Sequence, residues 1–506
     1  IIKLMVNILL AEGCDDIFDD GKVITILDQA CGTGGMLSTG YNFIKRYNPS
    51  ADVRLFGQEI NPESYAMCLA EMLIKGQNAE NICYQDTMKA DRFKGTKMRF
   101  VLENPPFGTA WGGKDAAEGV EDAVNAEYQK GFDGRWGAGL PGSGDMQMLF
   151  LQSAIDKMDD NFGRAAIIEN GSPLFSGGTA SGESQIRRWM LENDLIEAII
   201  ALPTDLFYNT GIATYIWVLS KNKRPERKGK IQLIDASTFF KKLRKALGDK
   251  KNEISPEDRS AVTKLYADFA ENEYCKIYRN EEFIYREYTV MQPLQRSYAI
   301  TADRIQAMVG KGALDSLYNE VKFADLELMA ERDGKAQKQL DRFFVGKPIF
   351  DAILADLNHA ISDTVWMSPD AFMPHLTEVL SKATTDKKLL EKIADGLSVM
   401  DKNAEIQRDR KGNIIYDKET KDTELVKWEE SIEDYMAREV LPHIPDAAAF
   451  FEENLGAKKP VIKTGAEIPF TRYFYKYQPS TPSEELEIRF KELELSVTER
   501  VAKLFE

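Results

Sequence analysis

Between about residues 22 and 245, the sequence alternates short apolar runs with segments long enough for helices. Apolar runs without polar alternation are typical of strands buried on both faces, and helix-length connections join such strands in parallel. This alternation predicts a doubly wound α/β domain, that is, a mostly parallel sheet covered by helices on both faces. The runs are KVITILDQA, VRLFGQEI, MRFVLENPP, RAAIIENG, LIEAIIALP, YIWVLSK and KIQLIDA.

A chain of 506 residues is too long for one ordinary hydrophobic core, so we expect at least two domains. After about residue 250 the pattern changes to charged, helical sequence. The predicted domains are an α/β domain over residues 1–250, a mainly helical region over 251–470, and a tail with a terminal helix over 471–506. Because residue 1 is Ile rather than Met, we also expect the chain to begin inside a longer protein.

Several classes of protein are disfavoured by composition. No apolar run approaches 18 residues, which argues against a membrane span. The five cysteines are scattered without a CxxC pair, which favours reduced thiols, a cytoplasmic location and no structural zinc. All three histidines lie after residue 350, so chemistry in the α/β domain works without imidazole, and we predict no metal site there.

The net charge of −16 argues against a nucleic-acid binder, because phosphate affinity comes from Lys and Arg. Two stretches nevertheless concentrate cations: KNKRPERKGK (221–230) and KKLRKALGDKK (241–251). A solvated surface loop and helix face is one interpretation, and a track for phosphates is the other. Charge alone leaves both open.

The first strand runs into ILDQACGTGGML, a glycine-rich turn before a helix. Its glycines are not spaced as GxGxxG, which disfavours a dinucleotide pyrophosphate. Asp28 stands before the turn, where an anion repels phosphate but holds an ammonium group. Glu59 ends the second strand, where a carboxylate can accept two ribose hydroxyls, and Asp86 ends the next run, where it can accept from an adenine amine. S-adenosylmethionine fits all three positions.

The stretch VLENPPFGTA ends the fourth run on Asn104, Pro105, Pro106 and Phe107. Two prolines cannot donate to a sheet, so the strand ends in a stiff turn. An exocyclic amine on a base is a poor nucleophile because its lone pair is delocalised into the ring. The Asn104 side-chain oxygen and the Pro105 carbonyl can accept its two hydrogens, and Phe107 can stack on the base. A merely rigid turn is the alternative.

These motifs resemble the N6-adenine DNA methyltransferases, and specifically the modification subunit of Type I restriction-modification systems. The resemblance is carried by DQACGTGGML, NPPFG, GQEINPESYAMC, GSPLFSGG and LFYNTGIATYIWVLSKNK. It implies a Rossmann-like S-adenosylmethionine-dependent methyltransferase domain. The sequence departs from the family pattern at three positions. Gln29 stands where the family usually has proline, Met36 where it usually has phenylalanine, and Glu103 where it usually has a small residue.

The resemblance also implies roles for individual residues. The target adenine is received by Asn104, Pro105, Pro106 and Phe107. The expected donor-binding residues are Asp28, Ala30, Gly32, Thr33, Gly34, Gly35, Glu59, Ile60, Asp86, Thr87 and Asn104.

The partners implied by the resemblance are double-stranded DNA, a specificity subunit and a restriction subunit, with two modification subunits in each complex. We expect the terminal helix (482–506) either to dock the specificity subunit or to pack on its own domain. The glycine-rich stretch 109–144 is too long for an ordinary loop, and we expect it to lack order without DNA. An RNA or protein-glutamine methyltransferase is an alternative function, and a catalytically silent DNA-binding scaffold is another.

Overall fold

The computed structural model describes residues 1–330, 334–477 and 482–502, which form two compact units. The first unit comprises Ile1–Arg286, Lys427–Glu429 and the described residues from Glu453 onward, and the second comprises Glu287–Val426 and Glu430–Glu452. These boundaries differ from the predicted limits at residues 250 and 470. Elements after residue 250 complete the first unit, because the chain leaves that unit and later returns to it.

The first unit is built on a nine-stranded sheet. All seven apolar runs identified in the sequence form strands of this sheet. A two-stranded antiparallel hairpin accompanies it. Up to residue 279 the strands are β1 Val23–Asp28, β2 Asp52–Glu59, β3 Ile82–Tyr84, β4 Phe100–Glu103, β5 Arg164–Asn170, β6 Ile196–Ala201, β7 Thr214–Ser220, β8 Lys230–Asp235, β9 Lys241–Leu247, β10 Lys250–Glu253 and β11 Cys275–Arg279.

The order of the large sheet is β11-β8-β6-β7-β5-β4-β1-β2-β3. Its pairs are parallel except those made by β7 and β11. From β1 the chain winds outward through β2 and β3, and it then crosses to β4 on the other side of β1. The carboxyl ends of β1 and β4 therefore form a topological switch point, where α/β sheets open a crevice for ligands.

Helices cover both faces of this sheet, as predicted. Adjacent side chains of one strand enter opposite cores: Ile26 lies in one buried cluster and Leu27 in the other. The doubly wound α/β fold is thus confirmed. The helices up to residue 268 are α1 Ile2–Ala11, α2 Gly35–Tyr47, α3 Pro62–Ile74, α4 Val120–Tyr128, α5 Gln147–Lys157, α6 Ser172–Phe175, α7 Gly182–Glu192 and α8 Pro256–Asp268.

The second unit is mainly helical with short strands. Its largest buried cluster includes Ile305, Ile353, Phe372 and Ile393, each from a different helix. Strand β12 (Ile284–Met291) carries the chain into this unit. The following elements are β13 Arg296–Tyr298, α9 Ala302–Gly310, α10 Glu320–Ala330, α11 Gly334–His359, α12 Pro369–Val379, α13 Lys387–Gly396, β14 Ser398–Met400, β15 Asp422–Lys427, α14 Ile432–Tyr435 and β16 Ala448–Phe450.

The chain then returns to the first unit with β17 (Thr464–Ala466), α15 (Phe470–Phe474) and α16 (Ser483–Ala502). Strand β17 pairs with the beginning of β12, with Tyr285 opposite Gly465. The buried Arg187 of α7 donates to the carbonyl of Ala466 at 2.8 Å, so the returning strand satisfies a buried guanidinium. None of the described helices is long and apolar enough to cross a membrane.

Candidate functional site

A pocket of about 1180 Å³ opens at the carboxyl ends of β1, β2 and β4 in the first unit. This volume lies above the roughly 300–1,000 Å³ of most small-molecule sites, so there is room for more than one small ligand. The pocket occupies the topological switch point that the strand order creates. Its position therefore follows from the chain's winding.

Most of the sequence-predicted site residues line this pocket. They are Ala30, Gly32, Glu59, Ile60, Asp86, Thr87, Asn104, Pro105, Pro106 and Phe107. Four other predicted residues are not among the lining residues. These are Asp28, Thr33, Gly34 and Gly35, which lie at the end of β1 and in the turn that follows.

The glycines of the turn have different physical roles. Gly32 has φ +53°, and a Cβ there would meet no atom within 4 Å. Gly34 has φ +81°, and a Cβ there would lie 2.6 Å from Met72 and 2.7 Å from Cys68. Gly32 thus leaves space beside the pocket, whereas Gly34 lets the turn pack closely on α3.

The carboxylates of Glu59 and Asp86 are held by backbone amides. Glu59 accepts from the amides of Gly32 and Asn61, both at 2.7 Å. Asp86 accepts from the amide of Met88 at 2.8 Å. An ionised carboxylate has about four lone-pair positions. Each of these side chains therefore keeps acceptor capacity for a ligand.

Three further carboxyl groups are buried beneath this edge of the sheet: Asp28, Glu103 and Glu169. Burial, reinforced by the charge of Glu59, raises the pKa of Asp28 to about 7, although the Ala30 amide donates to it. Burial and the charge of Asp28 raise the pKa of Glu103 well above its usual range. Burial and the charges of Asp145 and Glu103 do the same for the pKa of Glu169.

Gln29 and Glu103, two of the departures from the family pattern, contact each other. The Gln29 amide donates to a Glu103 oxygen at 3.3 Å. A proline at position 29 would have no amide hydrogen for this bond. The side-chain oxygen and nitrogen of Gln29 are buried and have no partner among the described residues. A buried, unpartnered amide beside a pocket is a candidate ligand contact.

The NPPF turn presents Asn104 to the pocket. Asn104 is exposed, and its side chain makes no hydrogen bond to any part of the chain that the structure describes. Pro105 is buried, which fixes the backbone next to that side chain. The Phe107 ring lies 6.2 Å from Phe207, with the two planes at 90°.

Residues 109–144 are folded, so our expectation that they lack order is wrong for the structure. They contain α4 and contribute Trp111, Val120, Val124 and Trp136 to a buried cluster. Arg135 donates to the carbonyl of Thr87 at 2.7 Å, which ties the segment to the loop that carries Asp86. Because the segment is rich in glycine, its sequence did not indicate that it forms a small hydrophobic core of its own.

Sequence reasoning missed two walls of the pocket, one of which is formed by Asp115, Ala117 and Val120 of the segment 109–144. The other wall lies across the sheet. This wall follows β6 and includes Phe207 and Tyr208, while Asn170 at the end of β5 lines another part. The signal was present in LFYNTG, where aromatic and polar residues follow a buried strand as they do in NPPF. Both segments leave the sheet at the same edge, so their side chains meet in one crevice.

Comparisons with known proteins identify a family model and several relatives that this chain matches. The sequence model described as N-6 DNA Methylase matches residues 1–301. The chain is 28% identical over 293 residues to the Type I restriction enzyme MjaVII methylase subunit of Methanocaldococcus jannaschii, an overlap that covers 57% of this chain and 47% of that protein. For the MjaVIII methylase subunit of the same organism the values are 31% over 276 residues, 52% and 44%.

Among solved structures, the chain is similar to the Type I restriction-modification system methyltransferase subunit from Streptococcus thermophilus. That similarity has a TM-score of 0.46 and 26% identity, and it covers 56% of this chain and 55% of that one. The chain thus spans about half the length of the curated relatives it matches.

Proposed function

Because this chain belongs to the N-6 DNA methylase family, we propose that it is the methylase subunit of a Type I restriction-modification system. It transfers a methyl group from S-adenosylmethionine to the exocyclic amine of adenine in DNA. One observation carries the proposal: a single pocket contains the unpartnered Asn104 amide together with the Glu59 and Asp86 carboxylates.

The residues at the ends of β1 and β2 fit the donor. Glu59 keeps lone pairs for two ribose hydroxyls after accepting from two backbone amides. Asp86 keeps an oxygen for the adenine amine, and Gly32 leaves open space for close approach. Asp28, buried behind the lining residues, attracts the ammonium end when it is ionised. When bound, S-adenosylmethionine supplies an electrophilic methyl group.

The residues of the NPPF turn activate the acceptor. The Asn104 side-chain oxygen and the Pro105 carbonyl accept the two hydrogens of the target amine, which directs its lone pair out of the ring plane. Phe107, braced by Phe207, stacks on the base. In the transfer that these residues would support, the amine nitrogen bonds to the methyl carbon as the bond from that carbon to the donor's sulfonium sulfur breaks. S-adenosylhomocysteine would then leave, and one N–H proton would pass to water. An adenine inside a duplex cannot reach this turn, so the base is extruded.

Helix α16 is the proposed docking element for a specificity subunit. Its apolar side chains Leu486, Phe490, Leu493 and Val497 are between 51% and 70% exposed, so the described part of the helix does not pack them on its own unit. A partner helix or groove would bury them. The same proposal has three further parts. The specificity subunit selects the DNA site, a restriction subunit joins the complex, and the complex contains a second copy of this chain.

The test is transfer of a tritiated methyl group from S-adenosylmethionine to duplex DNA. The protein is assayed with and without its specificity subunit, and the Asn104→Ala variant is assayed beside it. We expect N6-methyladenine in DNA with the partner present, and loss of label in the variant while donor binding persists.

The alternatives have distinct outcomes. Label in tRNA, rRNA or a glutamine peptide, with none in DNA, would replace the proposed substrate. Donor binding without transfer to any of these would indicate a silent scaffold. Unchanged transfer by Asn104→Ala would remove the NPPF turn from the chemistry, even if DNA were the substrate.

A further inference from the structure

We infer that the hairpin of β9 and β10, residues 241–253, binds the backbone phosphates of the DNA strand whose base enters the pocket. The inference rests on the proposed function and deepens it. Residues 241–251 contain six cations and one anion, in a chain whose net charge is −16. The structure shows a hairpin here, not the helix face considered from the sequence.

Half of the hairpin's six cations are used by the fold: Lys250 lies 5.0 Å from the centre of the Tyr208 ring, and two others pair with carboxylates. Lys241 pairs with Glu257 at 3.0 Å, and Lys251 lies 3.6 Å from Asp205. Lys242, Arg244 and Lys245 are exposed and form no ion pair with any residue in the described ranges. Lys242 and Arg244 share one face of the extended strand, and Lys245 lies on the other. Like charges this close repel one another, so an external anion is their natural complement.

The other cationic stretch, residues 221–230, behaves differently. Lys221 pairs with Asp160 at 2.6 Å, and Lys223 pairs with Asp194 at 2.5 Å. Arg227 is buried and lies 3.6 Å from Glu12. These three cations hold the first unit together, so the phosphate-track interpretation fails for them, whereas Lys228 of the same stretch is exposed and forms no ion pair with any described residue. The phosphate-track interpretation survives for the hairpin.

Hydrogen bonds fix the hairpin to the wall of the pocket. The amide of Asp249 donates to the carbonyl of Tyr208 at 3.0 Å, and the amide of Lys251 donates to that of Asp205 at 2.9 Å. Gly248, at φ +64°, allows this approach, because a Cβ there would lie 2.6 Å from the Tyr208 oxygen. Since Tyr208 also lines the pocket, the cations are held at its rim.

DNA is the anion that this arrangement fits. An extruded base stays attached to its strand, so the two flanking phosphates come to the rim of the pocket that receives it. Phosphates follow one another by about 3.4 Å along the axis of a strand, and seven extended residues such as Lys241–Leu247 span about 23 Å. The hairpin is therefore long enough for several phosphates, which it contacts without reading sequence.

The experiment compares two double variants of the full chain with equal loss of charge. Lys242→Gln/Arg244→Gln removes two hairpin charges that share one face of β9. Arg46→Gln/Lys228→Gln removes one Arg and one Lys that are also exposed and without an ion pair among the described residues, near the amino ends of β2 and β8. Binding to fluorescent duplex DNA is measured against salt, and methyl transfer and donor binding are measured separately.

We expect the slope of log affinity against log salt to fall by about 1.8 in the hairpin variant, about 0.9 for each phosphate contact, and to stay unchanged in the control. The KM for DNA rises in the hairpin variant, while donor affinity stays the same. An unchanged salt slope, in a wild-type protein that methylates DNA, would overturn the hairpin inference alone.

Two other outcomes are separable. A wild-type protein that transfers methyl groups only to another substrate would overturn the proposed function, and the hairpin inference with it. A hairpin variant that loses binding to anionic lipid vesicles, while its DNA binding is unchanged, would overturn the DNA assignment.

Discussion

Buried carboxyl groups lie at both ends of the strands of the central sheet, and the two groups differ in whether a cation compensates their charge. The carboxyl ends of the strands form one edge and the amino ends the other. At the carboxyl-end edge, Asp28, Glu103 and Glu169 are buried, none of them forms an ion pair with a described residue, and their pKa values are raised. At the amino-end edge, Glu197 receives two hydrogen bonds of 3.0 Å from Arg164. Burial opposes ionisation of Glu197 too, but Arg164 and Tyr266 lower its pKa below the usual value.

The difference separates stability from function within one sheet. Arg164 and Glu169 belong to the same strand, about 17 Å apart along it. A paired buried charge fixes the structure, since removal of either partner leaves the other uncompensated. Unpaired buried acids cost stability, and they are retained where a ligand or reaction uses them. Changes at the two edges should therefore affect different measurements.

The largest effect is expected at the amino-end edge. Arg164→Ala removes two hydrogen bonds from the buried Glu197 carboxylate, which keeps the Tyr266 hydroxyl and the Arg227 guanidinium at 4.0 Å. The variant should lower the free energy of unfolding by about 3 kcal/mol, the lower end of the cost of breaking a buried pair. Urea denaturation followed by tryptophan fluorescence measures this loss. Lys75→Ala, which removes an exposed pair with Glu71, should cost about 0.5 kcal/mol or less. Similar losses in both variants would contradict the comparison.

The next effect concerns chemistry at the opposite edge. Asn104→Ala should reduce kcat for methyl transfer by about 10²–10³-fold, the typical cost of one lost transition-state hydrogen bond. Its free energy of unfolding should stay within about 0.5 kcal/mol of wild type, because Asn104 is exposed and its side chain bonds to no residue in the described ranges. Single-turnover kinetics test the expected loss of kcat, and denaturation of the same preparation tests the expected stability. A destabilised variant would mean that Asn104 serves the fold.

A smaller effect should appear in the pH dependence of donor binding. The pKa of Asp28 is about 7 in the free protein, and only the ionised form attracts an ammonium group. Donor affinity should therefore fall by up to about tenfold for each pH unit below pH 7 and level off just above it, until the donor's own α-amino group begins to lose its proton near about pH 8. Calorimetric titration from about pH 5.5 to 8.5 measures this dependence. Asp28→Asn should remove the slope, and a slope that persists would assign it to another group.

The last effect is expected from Glu103. Its folded-state pKa is raised, so the stability it contributes is complete below its unfolded pKa of about 4.3 and is lost as pH rises toward the folded value. Glu103→Gln should abolish that loss, so the variant should gain stability relative to wild type as pH rises above about 4.3, by up to about 1.4 kcal/mol for each pH unit below the folded pKa. Thermal unfolding at several pH values tests this. Glu80→Gln, an exposed control, should leave the pH profile unchanged.

The sheet and most of the site could be predicted from the sequence because their signals are local. Runs such as RAAIIENG and LIEAIIALP are apolar throughout, and only strands with both faces covered tolerate this. The NPPF turn was identifiable because proline constrains the backbone by its own ring. The strand order then brings these local features to one edge.

Other features depend on contacts between distant residues and left no such signal. The fold of residues 109–144 rests on Arg135 reaching Thr87, and on Trp136 packing with Met88 and Phe150. The hairpin at 241–253 is a ribbon because its backbone bonds to residues 205 and 208, which the cationic composition does not encode. The boundary near residue 286 depends on β17, which follows almost 180 residues later.

The late position of β17 in the sequence also has a consequence during synthesis. Tyr285 can pair with Gly465 only after the ribosome has added the 180 residues that lead to it. At about 5–20 residues per second, a ribosome takes roughly 10 to 40 s to supply it. Until then, the Arg187 guanidinium lacks its bond to Ala466 and the edge of β12 lacks its partner. The residues that line the pocket are therefore synthesised well before the packing of the first unit is complete. During that interval the nascent unit is most accessible to chaperones.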